Sequence, residues 1–120
     1  MERLFPKEFL DRYGFEAPEW AAGDAHAYTR WLAGGHYETF HVVSLLLPKR
    51  LHQDFFNVYA YCRWADDLGD ELGDPARCLE ALGWWRSELR AMYAGRTRHP
   101  VFVALAETVE RHSIPEEPFE

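Results

Sequence analysis

LHQDFFNVYAYCRWADDLGDEL, residues 51–72, is a proline-free run in which apolar and acidic positions repeat with the period of a helix. Leu51, Phe55, Val58, Cys62, Ala65, Gly69 and Leu72 step by four and three, which predicts a helix with this stripe as its core face. Tyr59, Arg63, Asp66 and Asp70 step the same way along a second stripe, roughly 60–120° further around the helix. Polar groups beside a core face, rather than opposite it, are expected at the rim of a cavity between helices.

Outward from this run, Gly and Pro punctuate the chain at Pro6, Gly14, Pro18, Gly34-Gly35, Pro48, Gly73-Asp74-Pro75, Gly95, Pro100, Pro115 and Pro118. The intervals have helical length, and none shows the alternation of strands between hairpin turns. An all-α fold is expected, with helices over 19–33, 37–47, 49–72, 76–94 and 100–113. Pro48 suits the first turn of the third helix. Asp74 is placed to cap the fourth, with Pro75 at its first position. No repeat or composition break marks a second domain. Pro115-Glu-Glu-Pro-Phe119 opens a further segment just before the sequence ends, the pattern expected of a fragment.

The 120 residues are 48% hydrophobic and 16% aromatic, enough for one small domain with a modest core. Nineteen aromatic residues (5 Trp, 6 Tyr, 8 Phe) exceed what such a core needs, so some are expected to line a cavity or face a partner. With 20 acids against 13 bases, the net charge of −7 argues against nucleic-acid binding. Cys62 and Cys78 lack metal-ligand spacing, and a disulfide between them stays open. Met1 is not followed by the basic and apolar regions of a signal peptide, and no stretch approaches the ~20 apolar residues of a membrane span. The chain reads as soluble and cytoplasmic.

Asp66 and Asp70, four apart, are neighbours on one helix face and repel by a few tenths of a kcal/mol in an isolated helix. A shared cation removes that cost. Mg²⁺ takes hard oxygen ligands, commonly one or two carboxylates with waters and substrate phosphates, so this pair is a candidate Mg²⁺ site. Arg63, one turn earlier, can meet a diphosphate or tether an aspartate. Asp67 and Glu71, turned about 100° away, are expected behind the ligands or in solvent. The plainer alternative is a solvated acidic helix end with Arg63 in a local salt bridge.

The ordered set His36-Tyr-Glu-Thr-Phe40, Leu47-Pro48 and Tyr59-Ala-Tyr-Cys-Arg63-Trp-Ala-Asp66-Asp-Leu-Gly-Asp70-Glu resembles the amino-terminal half of the squalene/phytoene synthase family, as does His99-Pro-Val-Phe-Val-Ala-Leu. The likeness runs from about residue 24 onward. Tyr37-Glu-Thr-Phe40, Ser44-Leu-Leu-Leu-Pro48 and Trp64-Ala-Asp-Asp-Leu-Gly-Asp-Glu71 are similar to the hydroxysqualene synthases of bacterial hopanoid pathways. Those usually read Glu-Asn-Phe-Pro-Val-Ala-Ser where this chain has Glu38-Thr-Phe-His-Val-Val-Ser44.

The resemblance implies an isoprenoid-synthase-type helical bundle around a prenyl cavity. It implies an Mg²⁺-dependent enzyme acting on an isoprenoid diphosphate, a transferase or a lyase. Asp66 and Asp70 would be the metal ligands and catalytic residues. Arg63 and Tyr59 would contact the diphosphate, His36 and Thr39 would lie near it, and Phe40 would line the cavity. Phe40, Phe55, Phe56, Tyr59, Tyr61 and Trp64 could stabilise a carbocation, though ordinary core packing is the reading for most of them. The family's second aspartate-rich motif has no counterpart here, so a missing carboxy-terminal half is implied and the chain alone is expected to be inactive. A lipophilic product implies peripheral contact with a membrane.

The other chemistry-bearing residues form no pattern. The six histidines make no His-x-x-x-His pair, and Ser44, Ser87 and Ser113 lack a nucleophile context. His99-Pro100 reads as an ordinary helix start. The tryptophans are expected to pack, with Trp85 a candidate for a partner-facing surface. That surface and the acidic helix leave one non-enzymatic alternative, a helical interaction protein.

Overall fold

The computed structural model describes residues 4–15, 20–34, 45–70 and 72–116. Every regular element among them is helical: α1 (Pro6–Tyr13), α2 (Ala22–Gly34), a 3-10 turn (Lys49–Leu51), α3 (His52–Asp70), α4 (Pro75–Tyr93) and α5 (Pro100–His112). The all-α expectation holds. The predicted 37–47 helix lies largely outside the described residues. The sequence reading placed no helix at α1, an eight-residue segment held by tertiary contacts of Phe9 and Leu10 rather than by a long periodic pattern.

Local chemistry sets the boundaries. Asp74 caps α4 as expected, its carboxylate accepting from the Ala76 amide at 3.0 Å with Pro75 at the first position. His99 caps α5 in the same way, its Nδ1 accepting from the Val101 amide at 3.1 Å. Pro48 precedes the 3-10 turn that feeds α3, and Ser113 closes α5 in the left-handed region at φ 52°. Cys62 and Cys78 are free thiols. Among the described residues no helix is long and apolar enough to cross a membrane.

α3 is the central element, packed against α1, α2, α4 and α5, and α2 also packs on α5. Its core face is not the predicted one. Phe56, Asn57, Ala60, Tyr61, Trp64 and Leu68 are buried, together with Asp54. Of the predicted stripe, Leu72 is buried, Leu51, Phe55, Val58 and Ala65 are half-buried, and Cys62 and Gly69 are exposed. The cause is the polar pair Asp54 and Asn57, which masks the true stripe in the sequence. Apolar periodicity alone favoured the neighbouring face.

Both polar groups are satisfied inside. The Asn57 side chain accepts from Thr29 Oγ1 at 2.7 Å and Gln53 Nε2 at 2.9 Å, and donates to Thr108 Oγ1 at 3.0 Å and the Ala104 carbonyl at 3.1 Å. The Thr108 hydroxyl donates in turn to Asp54 Oδ1 at 2.9 Å, which also accepts from Arg111 at 2.8 Å. His112 Nε2 lies 2.9 Å from Asp54 Oδ2, and His26 pairs with Glu107. Burial pushes the Asp54 carboxyl up, but the hydrogen bonds from His112, Thr108 and Arg111 outweigh it and leave the group below the ordinary range. This network joins α2, α3 and α5.

The apolar core is aromatic. Trp64 and Trp85 stack at 5.0 Å with 4° between their planes, and the His99 ring stands edge-on to both, at 4.3 Å and 5.0 Å. Phe9 closes a further side at 4.8 Å from His99. The Trp64 indole donates to Tyr28 Oη at 3.1 Å, and that hydroxyl donates to the Leu4 carbonyl at 2.6 Å. Trp85, a candidate partner-facing residue in the sequence, is instead 2% exposed. Its bulk fills the α3–α4 contact.

Two predictions follow from these interiors. Asn57→Ala strands the groups around it and lowers unfolding free energy by about 2–4 kcal/mol in urea titrations. His99 is buried completely, and desolvation holds its imidazole well below the usual value near 6.5. The folded ring is therefore neutral while the unfolded chain takes up a proton as pH falls below about 6.5. Stability should decline there by up to about 1.4 kcal/mol per pH unit until the folded value is reached. His99→Asn, which keeps a capping side chain, should remove that slope when unfolding is compared at pH 7, 6 and 5; an unchanged slope would refute the assignment.

Candidate active site

The second stripe of α3 is where the sequence placed it on the helix, but its setting differs. Taking the buried residues as reference, Tyr59, Arg63, Asp66 and Asp70 lie roughly 140–150° around α3, almost opposite the core. The expectation of a stripe flanking the core is thus corrected. Asp66 and Asp70 face away from the packed interior because Trp64, Tyr61 and Leu68 take the inner side, whereas Tyr59 and Arg63 keep packing partners of their own.

Asp66 and Asp70 are exposed, while Tyr59 and Arg63 are half-buried. Phe55 and Tyr59 stack at 6.4 Å and sit against Phe56, Ala33 and Leu47 in a small cluster apart from the main core. Arg63 donates through Nε to Asp67 Oδ2 at 3.1 Å, also engages the Tyr59 side chain, and has its guanidinium carbon 5.4 Å from the Phe5 ring centroid. Desolvation pulls the guanidinium down, but the Asp67 and Tyr59 interactions outweigh it and leave Arg63 above its ordinary value. Phe5 is a contact that sequence spacing had no means of signalling, since it comes from the start of α1.

Asp67 has its partner in Arg63. Among the described residues Asp66 and Asp70 have no basic side chain within ion-pair distance. Cys62 lies one turn before Asp66. Burial raises its thiol pKa, and the Asp66 charge raises it further. Among the described residues no group of three or more His, Cys, Asp or Glu side chains forms a closed metal cage. Two exposed carboxylates one turn apart fit Mg²⁺ instead, which keeps waters and takes its remaining ligands from phosphate. His36, Thr39 and Phe40 lie outside the described residues, as does Glu71.

A sequence model of squalene/phytoene synthases matches residues 33–120, the span that carries this helix. The chain belongs to the squalene/phytoene synthase family. Within the family it is 30% identical over 80% of its length to a phytoene synthase of Arthrospira platensis, covering 31% of that protein. It is 31% identical over 53% of its length to a presqualene diphosphate synthase of Zymomonas mobilis, covering 22% of it. The crystal structure of squalene synthase HpnC from Alicyclobacillus acidocaldarius superposes with a TM-score of 0.73 at 42% identity, over 82% of this chain and 36% of that one. The chain therefore spans only about a fifth to a third of the length of these family members.

The Asp66–Cys62 proximity gives a direct test of the face. Asp66→Asn removes one of the two causes that raise the thiol, so Cys62 alkylation at pH 8 should accelerate, whereas Asp70→Asn should change it less. Equal rates in the wild-type and Asp66→Asn chains would show that the Asp66 charge does not act on the Cys62 thiol.

Proposed function

We propose that these residues form the amino-terminal portion of a single squalene/phytoene-synthase-like domain working in isoprenoid biosynthesis. The reaction we infer is ionisation of a prenyl diphosphate, with conversion of presqualene diphosphate to hydroxysqualene as the specific step. The observation that carries it is the outward face of α3, where Asp66, Asp70, Tyr59 and Arg63 stand together. The hydroxysqualene assignment rests on the Trp64–Glu71 motif and its flanking elements. A second reading, head-to-head condensation of two prenyl diphosphates, is favoured by relatives named phytoene synthase and presqualene diphosphate synthase.

Asp66 and Asp70 would hold Mg²⁺, which when bound neutralises charge developing on a leaving diphosphate. Arg63, fixed by Asp67 and backed by Phe5, presents a guanidinium suited to bidentate contact with phosphate oxygens. Asp67 acts through Arg63 by fixing its fork. Phe55 and Tyr59 offer aromatic faces beside that position, each worth roughly 0.5–2 kcal/mol toward a nearby cation depending on desolvation. His36, Thr39 and Phe40 belong to the same proposal as substrate contacts. A carbocation survives only where stray water is excluded. The span matches only about a third of the length of its relatives, so we infer that the active protein includes residues beyond it and that these residues alone are inactive. Peripheral contact with a membrane, through a lipophilic product, belongs to the same reading.

The test uses the complete protein with presqualene or farnesyl diphosphate, with and without Mg²⁺. Asp66→Asn and Asp70→Asn should each lower Mg²⁺-dependent turnover about 100-fold or more, and Asp67→Asn by less than about tenfold. Equal activity of all three variants would sink the ligand assignment. The product from presqualene diphosphate alone separates hydroxysqualene formation from condensation.

A further inference from the structure

The charge of this chain is unevenly placed. Against a net −7, residues 86–98 carry Arg86, Arg90, Arg96 and Arg98 with Glu88 as their sole acid. The end of α4 and the turn after it enclose an open groove of about 630 Å³, lined by Ser87, Glu88, Gly95, Arg96, Thr97 and Arg98 among others. None of these residues belongs to the aspartate face of α3.

The turn is fixed by its backbone. The Gly95 amide donates to the Met92 carbonyl at 3.0 Å and the Arg96 amide to Ala91 at 2.8 Å, with Gly95 at φ +86°. That geometry sets Arg96, Thr97 and Arg98 along one wall. Glu88 is drawn inward, its carboxylate accepting from the Trp84 indole at 3.2 Å with the side chain only 11% exposed. Arg98 is 53% exposed and stands 3.8 Å from the same oxygen, outside hydrogen-bonding distance. Arg98 is thus a loose ion-pair partner of Glu88 with no hydrogen bond between them. Among the described residues Arg96 has no side-chain ion pair. The Ser87 hydroxyl is spent on the Gly83 carbonyl at 3.1 Å, so the donors left to a ligand are the two guanidinium forks and Thr97.

We propose that this groove binds a phosphate-type oxyanion, either a free phosphate ester or the phosphate of an anionic lipid headgroup. Two forked guanidiniums on a fixed turn match a tetrahedral oxyanion that accepts several hydrogen bonds at once. Glu88, the one acid among the residues lining the groove, is held inward by Trp84 and weakens the site without blocking it.

The intact chain would be titrated with inorganic phosphate at constant ionic strength, following the amide resonances of Gly95–Arg98. In parallel, it would be floated with phosphatidylcholine vesicles with and without phosphatidylglycerol. Saturable shifts are expected, weakened about tenfold or more in the Arg96→Gln/Arg98→Gln double variant. Glu88→Gln, which keeps an acceptor for Trp84, should tighten binding. Flotation that requires phosphatidylglycerol and is lost in the double variant assigns the site to a lipid headgroup; phosphate binding without flotation assigns it to a free ester. Absence of both responses, indifference to the double variant, or weaker binding in Glu88→Gln would overturn the proposal.

Discussion

The Asn57 side chain sits at the crossing of α2, α3 and α5 with both ends fully used, two donors onto its oxygen and two acceptors for its nitrogen. A buried amide without partners costs about 1–3 kcal/mol, so the three helices are favoured only in the register that completes all four bonds. Asp54 extends the same constraint by one turn. Its carboxylate gathers Thr108, Arg111 and His112 and thereby ties the carboxy-terminal half of α5 to the start of α3. An apolar pair could pack here with similar burial, but it would not dictate register so narrowly.

The aromatic cage completes what the polar network begins. Because Nδ1 of His99 accepts from the Val101 amide, the neutral ring must carry its proton on Nε2, and that atom has no conventional acceptor among its neighbours. The ring planes of Trp64 and Trp85 stand nearly perpendicular to the imidazole, at 85° and 88°, and close it off from water. Trp64 in turn directs its indole N–H to Tyr28, whose hydroxyl fixes the Leu4 carbonyl just ahead of α1. One line of contacts thus runs from the cap of α5 through α3 to the amino-terminal helix.

Helix positions were legible where caps and breakers, which are local chemistry, marked them: Asp74-Pro75 gave the start of α4, and the segment predicted over 49–72 became the 3-10 turn and α3, whereas the short α1 carried no such mark. The orientation of α3 was not legible. Hydrophobic periodicity presumes that core faces are apolar, and here Asp54 and Asn57 occupy the core through partners up to 58 residues distant in sequence. Trp85 was misjudged for a related reason, since a tryptophan beside another tryptophan carries no signal of which one turns inward. The candidate site fared differently. The four residues Tyr59, Arg63, Asp66 and Asp70 share a face by helix geometry alone, whichever way the helix is turned, whereas Phe5 beneath Arg63 comes from a tertiary contact.

That distinction bears on how the acidic face is tolerated. The inner side of α3 supplies its packing through Trp64, Tyr61 and Leu68, together with the Asn57 network, so the outer side can carry polar groups at little cost to the fold. Beside that outer face, half-buried Asp67 pairs with Arg63 at 3.1 Å. Asp66 and Asp70 are left as a like-charged pair one turn apart, whose repulsion in water is only a few tenths of a kcal/mol. Such a penalty is too small to unfold the helix, yet it is relieved whenever a divalent ion bridges the pair. Under the proposed function the same arithmetic explains why Arg63 is paired with Asp67 rather than with either ligand: a guanidinium bonded to Asp66 or Asp70 would compete with the metal for the carboxylate. Held one residue aside, it would keep its charge beside a diphosphate without occupying the oxygens that the ion would need.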